Sequence, residues 1–187
     1  RDNAGNTVPL SQNYLGGNGI FGGALQMDGS EFNSNSILDI PFSPSLAESQ
    51  GEITVMAWVY RNENGYNTGL FAHDYNRPGT FFGFHNALYK WEFHTNNGTV
   101  SCYAGYVPTN TWVHITGTFD GSVARLYANG KQISSKTLPQ GSLLRYDPTK
   151  SFTSSGFYDL GRNISPINGL TDEIDGRIDE LKIYKKA

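Results

Sequence analysis

From Ala24 to Tyr184 the sequence runs as short segments rich in β-branched and aromatic residues, cut by Gly, Pro, Asn or Asp at intervals of about eight to twelve residues. That spacing constrains the fold more than any other feature, because no stretch between the cuts carries the apolar period of an amphipathic helix. The predicted strands are Ala24–Met27, Ser36–Ile40, Ile53–Arg61, Gly69–His73, Thr80–His85, Tyr89–Thr95, Val100–Tyr103, Trp112–Asp120, Ala124–Ala128, Lys131–Lys136, Phe157–Gly161 and Arg177–Tyr184. Only Pro44–Glu48 has the composition of a helical turn. Residues 1–20, with Gly5, Pro9, Gly16, Gly17 and Gly19, read as an irregular lead-in with room for one edge strand. No repeat or linker interrupts residues 1–187, which read as one all-β antiparallel domain, a sandwich or barrel.

Local turn chemistry sharpens this. Asn129-Gly130 lies between Leu126-Tyr127-Ala128 and Lys131-Gln132-Ile133, and a type I′ hairpin turn needs positive φ at both central positions. Phe119-Asp120-Gly121-Ser122 ends the strand before it, so Trp112–Lys136 is predicted to be a three-strand meander. In Ile53–Tyr60 both faces are apolar, Ile53, Val55, Ala57 and Val59 on one and Met56, Trp58 and Tyr60 on the other, which predicts a strand covered on both sides. In the last strand Asp179 alternates in phase with Leu181 and Ile183 and is expected on the core side, where a carboxylate needs a cation, a metal or several N–H donors.

Composition removes whole classes of function. A net charge of −3, from 14 Lys and Arg against 17 Asp and Glu with no basic cluster, argues against nucleic acid, whose affinity comes from phosphate neutralisation. No apolar run approaches the ~18 residues of a membrane-spanning helix. Aromatic residues, 13% of the chain, recur in almost every segment, which argues against disorder. Cys102 stands alone, allows no internal disulfide, and reads as a small buried hydrophobe. The chain opens at Arg1 with no charged-then-apolar leader and reads as a mature or excised segment of a larger multidomain protein. Seventeen Asn, mostly in turns, suit an extracellular β protein, and Asn97-Gly98-Thr99 is a formal glycosylation sequon.

Three blocks in register resemble a known family. They are Ala24-Leu25-Gln26-Met27-Asp28-Gly29-Ser30 with Pro44-Ser45-Leu46 and Ile53–Val59; Trp112–Gly121 running on to Leu126–Gly130; and Leu160-Gly161-Arg162 with Gly176–Tyr184. From about residue 22 to the C-terminus their order and spacing resemble the laminin-G-like branch of the concanavalin A-like lectin/glucanase domains. The resemblance implies a two-sheet antiparallel jelly roll with one concave sheet, an extracellular or cell-surface location, and core positions for Trp58 and Trp112. It also implies a structural calcium, with Asp28, Asp179 and backbone oxygens near Ser30 as candidate ligands. The residues themselves leave a second reading open, in which Asp28 caps its own turn and Asp179 accepts backbone N–H groups.

Some relatives with this fold are glycoside hydrolases that carry Glu-x-Asp-x-x-Glu on one strand, because retaining hydrolysis needs two carboxylates about 5–5.5 Å apart. Here Glu173-Ile174-Asp175 imitates the first half, but Ile178 stands where the second Glu belongs. His73, His85, His94 and His114 lack the close pairing of a metal site, and no nucleophile elbow or phosphate loop is present. The expectation is a non-enzyme.

A saccharide offers an apolar ring face and a rim of hydroxyls, so its site needs an aromatic platform beside planar polar groups. Gly65 to Tyr106 is richest in both. The candidate carbohydrate-binding residues are His73, Asp74, Tyr75, Arg77, His85, Trp91, His94 and Tyr103, with Asp74–Arg77 as a rim and Arg145-Tyr146-Asp147 as a second, lesser candidate. For Trp91 a core position is an equal alternative, since Lys90 and Glu92 take the opposite face. The function expected is a non-catalytic carbohydrate-binding module or lectin-like domain of a secreted or surface polysaccharide-processing protein, its partner a poly- or oligosaccharide. The alternative is an adhesion domain that binds protein.

Overall fold

The computed structural model describes residues 15–28, 38–40, 51–62, 67–73, 80–85, 87–145, 152–154 and 174–187. Two antiparallel sheets hold them. The seven-stranded sheet comprises β1 (Leu15–Asn18), β2 (Gly23–Asp28), β4 (Ile53–Arg61), β9 (Trp112–Phe119), β10 (Val123–Ala128), β11 (Lys131–Thr137) and β13 (Asp175–Tyr184), in the order β1-β2-β13-β4-β9-β10-β11. The six-stranded sheet comprises β3 (Leu38–Ile40), β5 (Asn67–His73), β6 (Thr80–His85), β7 (Leu88–Thr95), β8 (Gly98–Tyr106) and β12 (Phe152–Ser154), in the order β3-β12-β5-β6-β7-β8. Among the described residues there is no helix, and the architecture is the all-β jelly-roll sandwich expected. The predicted strand at Phe157–Gly161 and the turn at Pro44–Glu48 lie outside the described residues.

The predicted meander is present: β9 pairs with β10 and β10 with β11. Asn129 and Gly130 adopt φ of 48° and 76°, the positive values the turn demands. Asn129 also ties the turn to β9, its amide donating to the His114 carbonyl at 2.7 Å and its side-chain oxygen accepting the His114 amide at 2.9 Å. At the preceding corner the Asp120 carboxylate accepts Ser122 and Val123 amides, at 3.0 and 2.7 Å, and Arg125 Nη1 at 2.6 Å. Burial there works against the charge. The bond from Arg125 and those from Val123 and Ser122 outweigh it and hold the carboxyl well below the usual carboxylate range.

The core is set by strand period. On β4 and β9, Ile53, Val55, Ala57, Val59, Val113, Ile115 and Phe119 point inward and are buried. Facing them from the six-stranded sheet are Phe82, Phe84, Tyr89, Trp91 and Phe93. The sheets meet closely where Trp91, fully buried, lies on Gly117: a Cβ added to Gly117 would fall 2.8 Å from the indole. Phe82 and Phe93 flank the indole, with ring centroids at 5.7 and 5.0 Å, and its N–H donates to the Thr118 carbonyl at 3.3 Å.

Three expectations change. Trp58 and Trp112 are not core residues: with Val55, Ala57 and Val59 inward, Met56, Trp58 and Tyr60 take the outer face and are half-buried, as is Trp112 beside Tyr60. The outer face of β4 is therefore only partly covered, where full cover was expected. Asp179 also lies outward, paired with outward Trp58, because a bulge between Asp179 and Lys182 with Glu180 at φ 53° breaks the alternation that put it in phase with Ile183. Arg61, at the end of β4, is turned inward and buried over the Phe84 ring at 4.7 Å. Its Nη1 and Nη2 lack a hydrogen-bond partner, and burial lowers its pKa to about 10.

Trp91→Ala is expected to cost about 3–5 kcal/mol, the range for emptying a large aromatic from a core, and Trp112→Ala far less. Denaturant midpoints of the two variants test the face assignment; equal losses would contradict it.

Candidate functional site

With Tyr89, Trp91 and Phe93 turned inward, the even positions of β7 face away from the core. Register aligns Lys90 with Gly83 and Tyr103, Glu92 with Phe81 and Ser101, and His94 with Thr99. These rows build a polar cluster on the outer face of the six-stranded sheet. Lys90 Nζ lies 3.3 Å from Glu92 Oε1 and 5.3 Å from the Tyr103 ring centroid. Glu92 Oε2 accepts bonds from the Ser101 hydroxyl and, at 3.4 Å, from the Tyr103 hydroxyl. His85 stands against the Tyr103 ring edge-on, centroids 5.8 Å apart.

Lys90 and Glu92 are buried, whereas Tyr103 is 39% exposed. An ion pair this enclosed holds its geometry, because breaking it strands a charge. Burial lowers the Lys90 pKa against the pull of Glu92, and burial followed by the Glu92 charge raises that of Tyr103 to about 12. Burial, reinforced by Lys90, pushes His85 below its ordinary value, so its imidazole is neutral at pH 7 and carries one donor and one acceptor. The cluster thus presents a fixed aromatic face with neutral and charged polar groups at its edge.

The site residues expected from sequence divide three ways. His85, His94 and Tyr103 share this face. Trp91 does not: its ring fills the core and no ligand on the sheet surface reaches it. His73 closes β5 in register with Thr80, and its side chain lies outside the description, as do Asp74, Tyr75 and Arg77. Of the lesser candidate, Arg145 is exposed and its amide donates to the His94 carbonyl at 3.0 Å; Tyr146 and Asp147 fall outside the described residues. Sequence reasoning missed Lys90, Glu92 and Ser101 as members, although Lys90 and Glu92 share the phase of His94.

Glu92 is the only carboxylate among the described side chains of this cluster. Asp39 shares its lateral row through Thr153, Ala72 and Phe81, but four strands away, about 19 Å at ~4.8 Å per strand. Retaining hydrolysis needs about 5–5.5 Å. Asp175, from the partial hydrolase-like motif, begins β13 and accepts a bond from Asn62 Nδ2 at 2.7 Å.

The calcium expectation meets a geometric obstacle. Asp28 pairs with Asp175, so Asp179 stands four residues farther along β13, about 13 Å away, whereas calcium holds its oxygens at about 2.3–2.6 Å. Asp179 Oδ2 instead accepts the amides of Ile20 and Phe21 at 2.8 and 3.1 Å, clamping the β1–β2 turn. Asp28 and Asp179 do not fit as ligands of one ion. Ser30 and the Asp28 side chain lie outside the described residues, among which no group of three or more His, Cys, Asp or Glu could hold a metal.

Comparison with known proteins fits this fold. Residues 32–187 match the laminin-G-type profile of the concanavalin A-like lectin/glucanases superfamily, and the chain belongs to that family. No curated protein sequence matches it. Among solved structures it is similar to the binding domain of Paraclostridial mosquitocidal protein 1, with TM-score 0.67 and 16% identity over 91% of this chain and 42% of that one. It is also similar to domain 4 of AbnA, a GH43 extracellular arabinanase of Geobacillus stearothermophilus solved with arabinotriose, with TM-score 0.58 and 19% identity over 91% and 74%. Mouse laminin α1 domains LG4–5 match with TM-score 0.67 and 17% identity over 96% and 47%. The chain therefore spans less than half the length of two of these three. At such identities the likeness is one of fold.

Asp179→Ala is expected to lower stability by about 1–3 kcal/mol, the loss of a charged acceptor from two amides. Melting in calcium and in chelator should shift by the same amount in variant and parent. A calcium response present in the parent and lost in the variant would restore Asp179 as a ligand.

Proposed function

We propose that this domain is a non-catalytic carbohydrate-binding module, which holds a poly- or oligosaccharide on the outer face of the six-stranded sheet. The observation that carries this reading is the exposed Tyr103 ring, buttressed by His85 and fixed by the buried Lys90–Glu92 pair. A sugar stacks its C–H face on Tyr103, while the His85 and His94 side chains exchange hydrogen bonds with its hydroxyls. The framework does not move on binding, so little ordering entropy opposes the complex.

The arabinanase domain solved with arabinotriose supports the reading, as do neighbours that are binding domains. Hydrolysis needs a second carboxylate near Glu92, whose oxygens are already engaged by Lys90, Ser101 and Tyr103. The domain acts within a secreted or surface polysaccharide-processing protein, where weak single-site affinity, on the order of µM to mM, is raised by tethering. No helix among the described residues is long and apolar enough to cross a membrane.

Affinity electrophoresis through gels of soluble polysaccharides, arabinan included, tests the proposal. Retardation is expected for the parent, reduced at least tenfold in apparent affinity by Tyr103→Ala, with an unchanged melting temperature and no release of reducing sugar. Retardation insensitive to Tyr103→Ala, or reducing-sugar release, would overturn it.

A further inference from the structure

The outer face of the seven-stranded sheet carries an unusual arrangement. Register aligns Arg177, Tyr60 and Trp112 in one row across β13, β4 and β9, then Asp179, Trp58 and His114 in the next, then Lys182, Met56 and Thr116. The Arg177 guanidinium lies 4.1 Å from the Tyr60 ring centroid and 5.7 Å from that of Trp112, and the two rings meet edge to face at 5.7 Å. Trp58 and His114 pack at 5.1 Å. Burial and the Lys182 charge lower the His114 pKa, leaving it neutral at pH 7. All four aromatic or heteroaromatic side chains are half-buried, as is Arg177.

Arg177 has no carboxylate partner among the described residues. Its one hydrogen bond runs from Nη1 to the Asn18 carbonyl at 3.3 Å. The described acidic side chains beside it are engaged elsewhere: Asp175, two residues back on the same face, accepts Asn62 Nδ2, Asp179 Oδ2 accepts the amides of Ile20 and Phe21, and Glu180 pairs with Lys182. A guanidinium is a planar fork matched to a carboxylate, and stacking on two rings fixes its plane before a ligand arrives. Beside it the rows form a strip about 10 Å by 14 Å, with ring faces suited to the C–H side of a sugar.

We propose that this face is a second binding site, for saccharides bearing a carboxylate: the acid pairs with Arg177 while the sugar rings lie along Trp112, Tyr60 and Trp58. An acidic sugar satisfies both halves of the surface at once, the unpaired cation and the aromatic strip. A neutral sugar leaves the guanidinium without a counter-charge. The site is independent of the glycan site around Tyr103, from which the full thickness of the sandwich separates it.

The tryptophans provide the readout, since Trp58 and Trp112 lie on this face and Trp91 in the core. Trigalacturonate is titrated into the intact protein while the indole N–H signals are followed by NMR, with the carboxyl-reduced neutral trisaccharide as control. The Trp58 and Trp112 signals are expected to move and that of Trp91 to stay. Affinity should fall at least tenfold for the reduced trisaccharide and for Arg177→Gln. Should Arg177→Gln fail to fold, Arg177→Lys keeps the charge without the fork and is expected to lose most of the affinity. The proposal is overturned if neither Trp58 nor Trp112 responds, if the neutral trisaccharide binds equally, or if the folded variant retains full affinity. Shifts confined to the surroundings of Tyr103 also overturn it, while leaving the proposed function standing.

Discussion

The contact of Trp91 with Gly117 governs the rest of the molecule. Glycine at 117 lets the indole lie against the opposite sheet, where any side chain would collide with it. Phe82, Phe93 and Phe119 close around the pair, Phe93 and Phe119 with centroids at 4.8 Å. Once Trp91 is inside, the two-residue period of β7 leaves Lys90, Glu92 and His94 no choice but the outer face. The same contact fixes β9, since Val113, Ile115 and Phe119 share the phase of Gly117. Trp112 and His114 then face outward. Both candidate binding surfaces are consequences of a single inter-sheet packing decision.

The two surfaces differ in how their charges are held. On the six-stranded sheet a cation and an anion are buried together and spend their charge on each other, so what they present is rigidity around an exposed tyrosine. On the seven-stranded sheet a bulge in β13 carries Asp179 outward and onto two backbone amides, and Arg177 is left stacked on aromatic rings with no carboxylate partner among the described residues. The first surface suits hydroxyls, the second an acid.

Much of the fold was legible because it rests on local rules. The meander at Trp112–Lys136 follows from Asn129-Gly130, and the strand limits of β4 and β6 match the sequence pattern residue for residue. The faces were harder to read. An aromatic in a strand with apolar residues on both sides offers no local clue to which side is the core, and family likeness assigned Trp58 and Trp112 the wrong one. For Trp91 the clue was present: charged Lys90 and Glu92 cannot both enter a core, so the tryptophan between them must. The placement of Asp179 was beyond local reading, because a bulge shifts the phase of a strand without altering its composition. The bond from the Ile20 amide to Asp179 spans 159 residues of sequence and belongs to tertiary structure alone.

Hydrogen exchange at the three indole N–H groups tests the central packing claim most directly. The account predicts that the Trp91 indole, bonded to the Thr118 carbonyl inside the sandwich, exchanges only through global unfolding, with a free energy equal to that of denaturant unfolding. The Trp58 and Trp112 indoles should exchange by far smaller fluctuations. If Trp91 exchanges as fast as the other two, the sheets do not pack on it and the face assignment of both sheets is wrong.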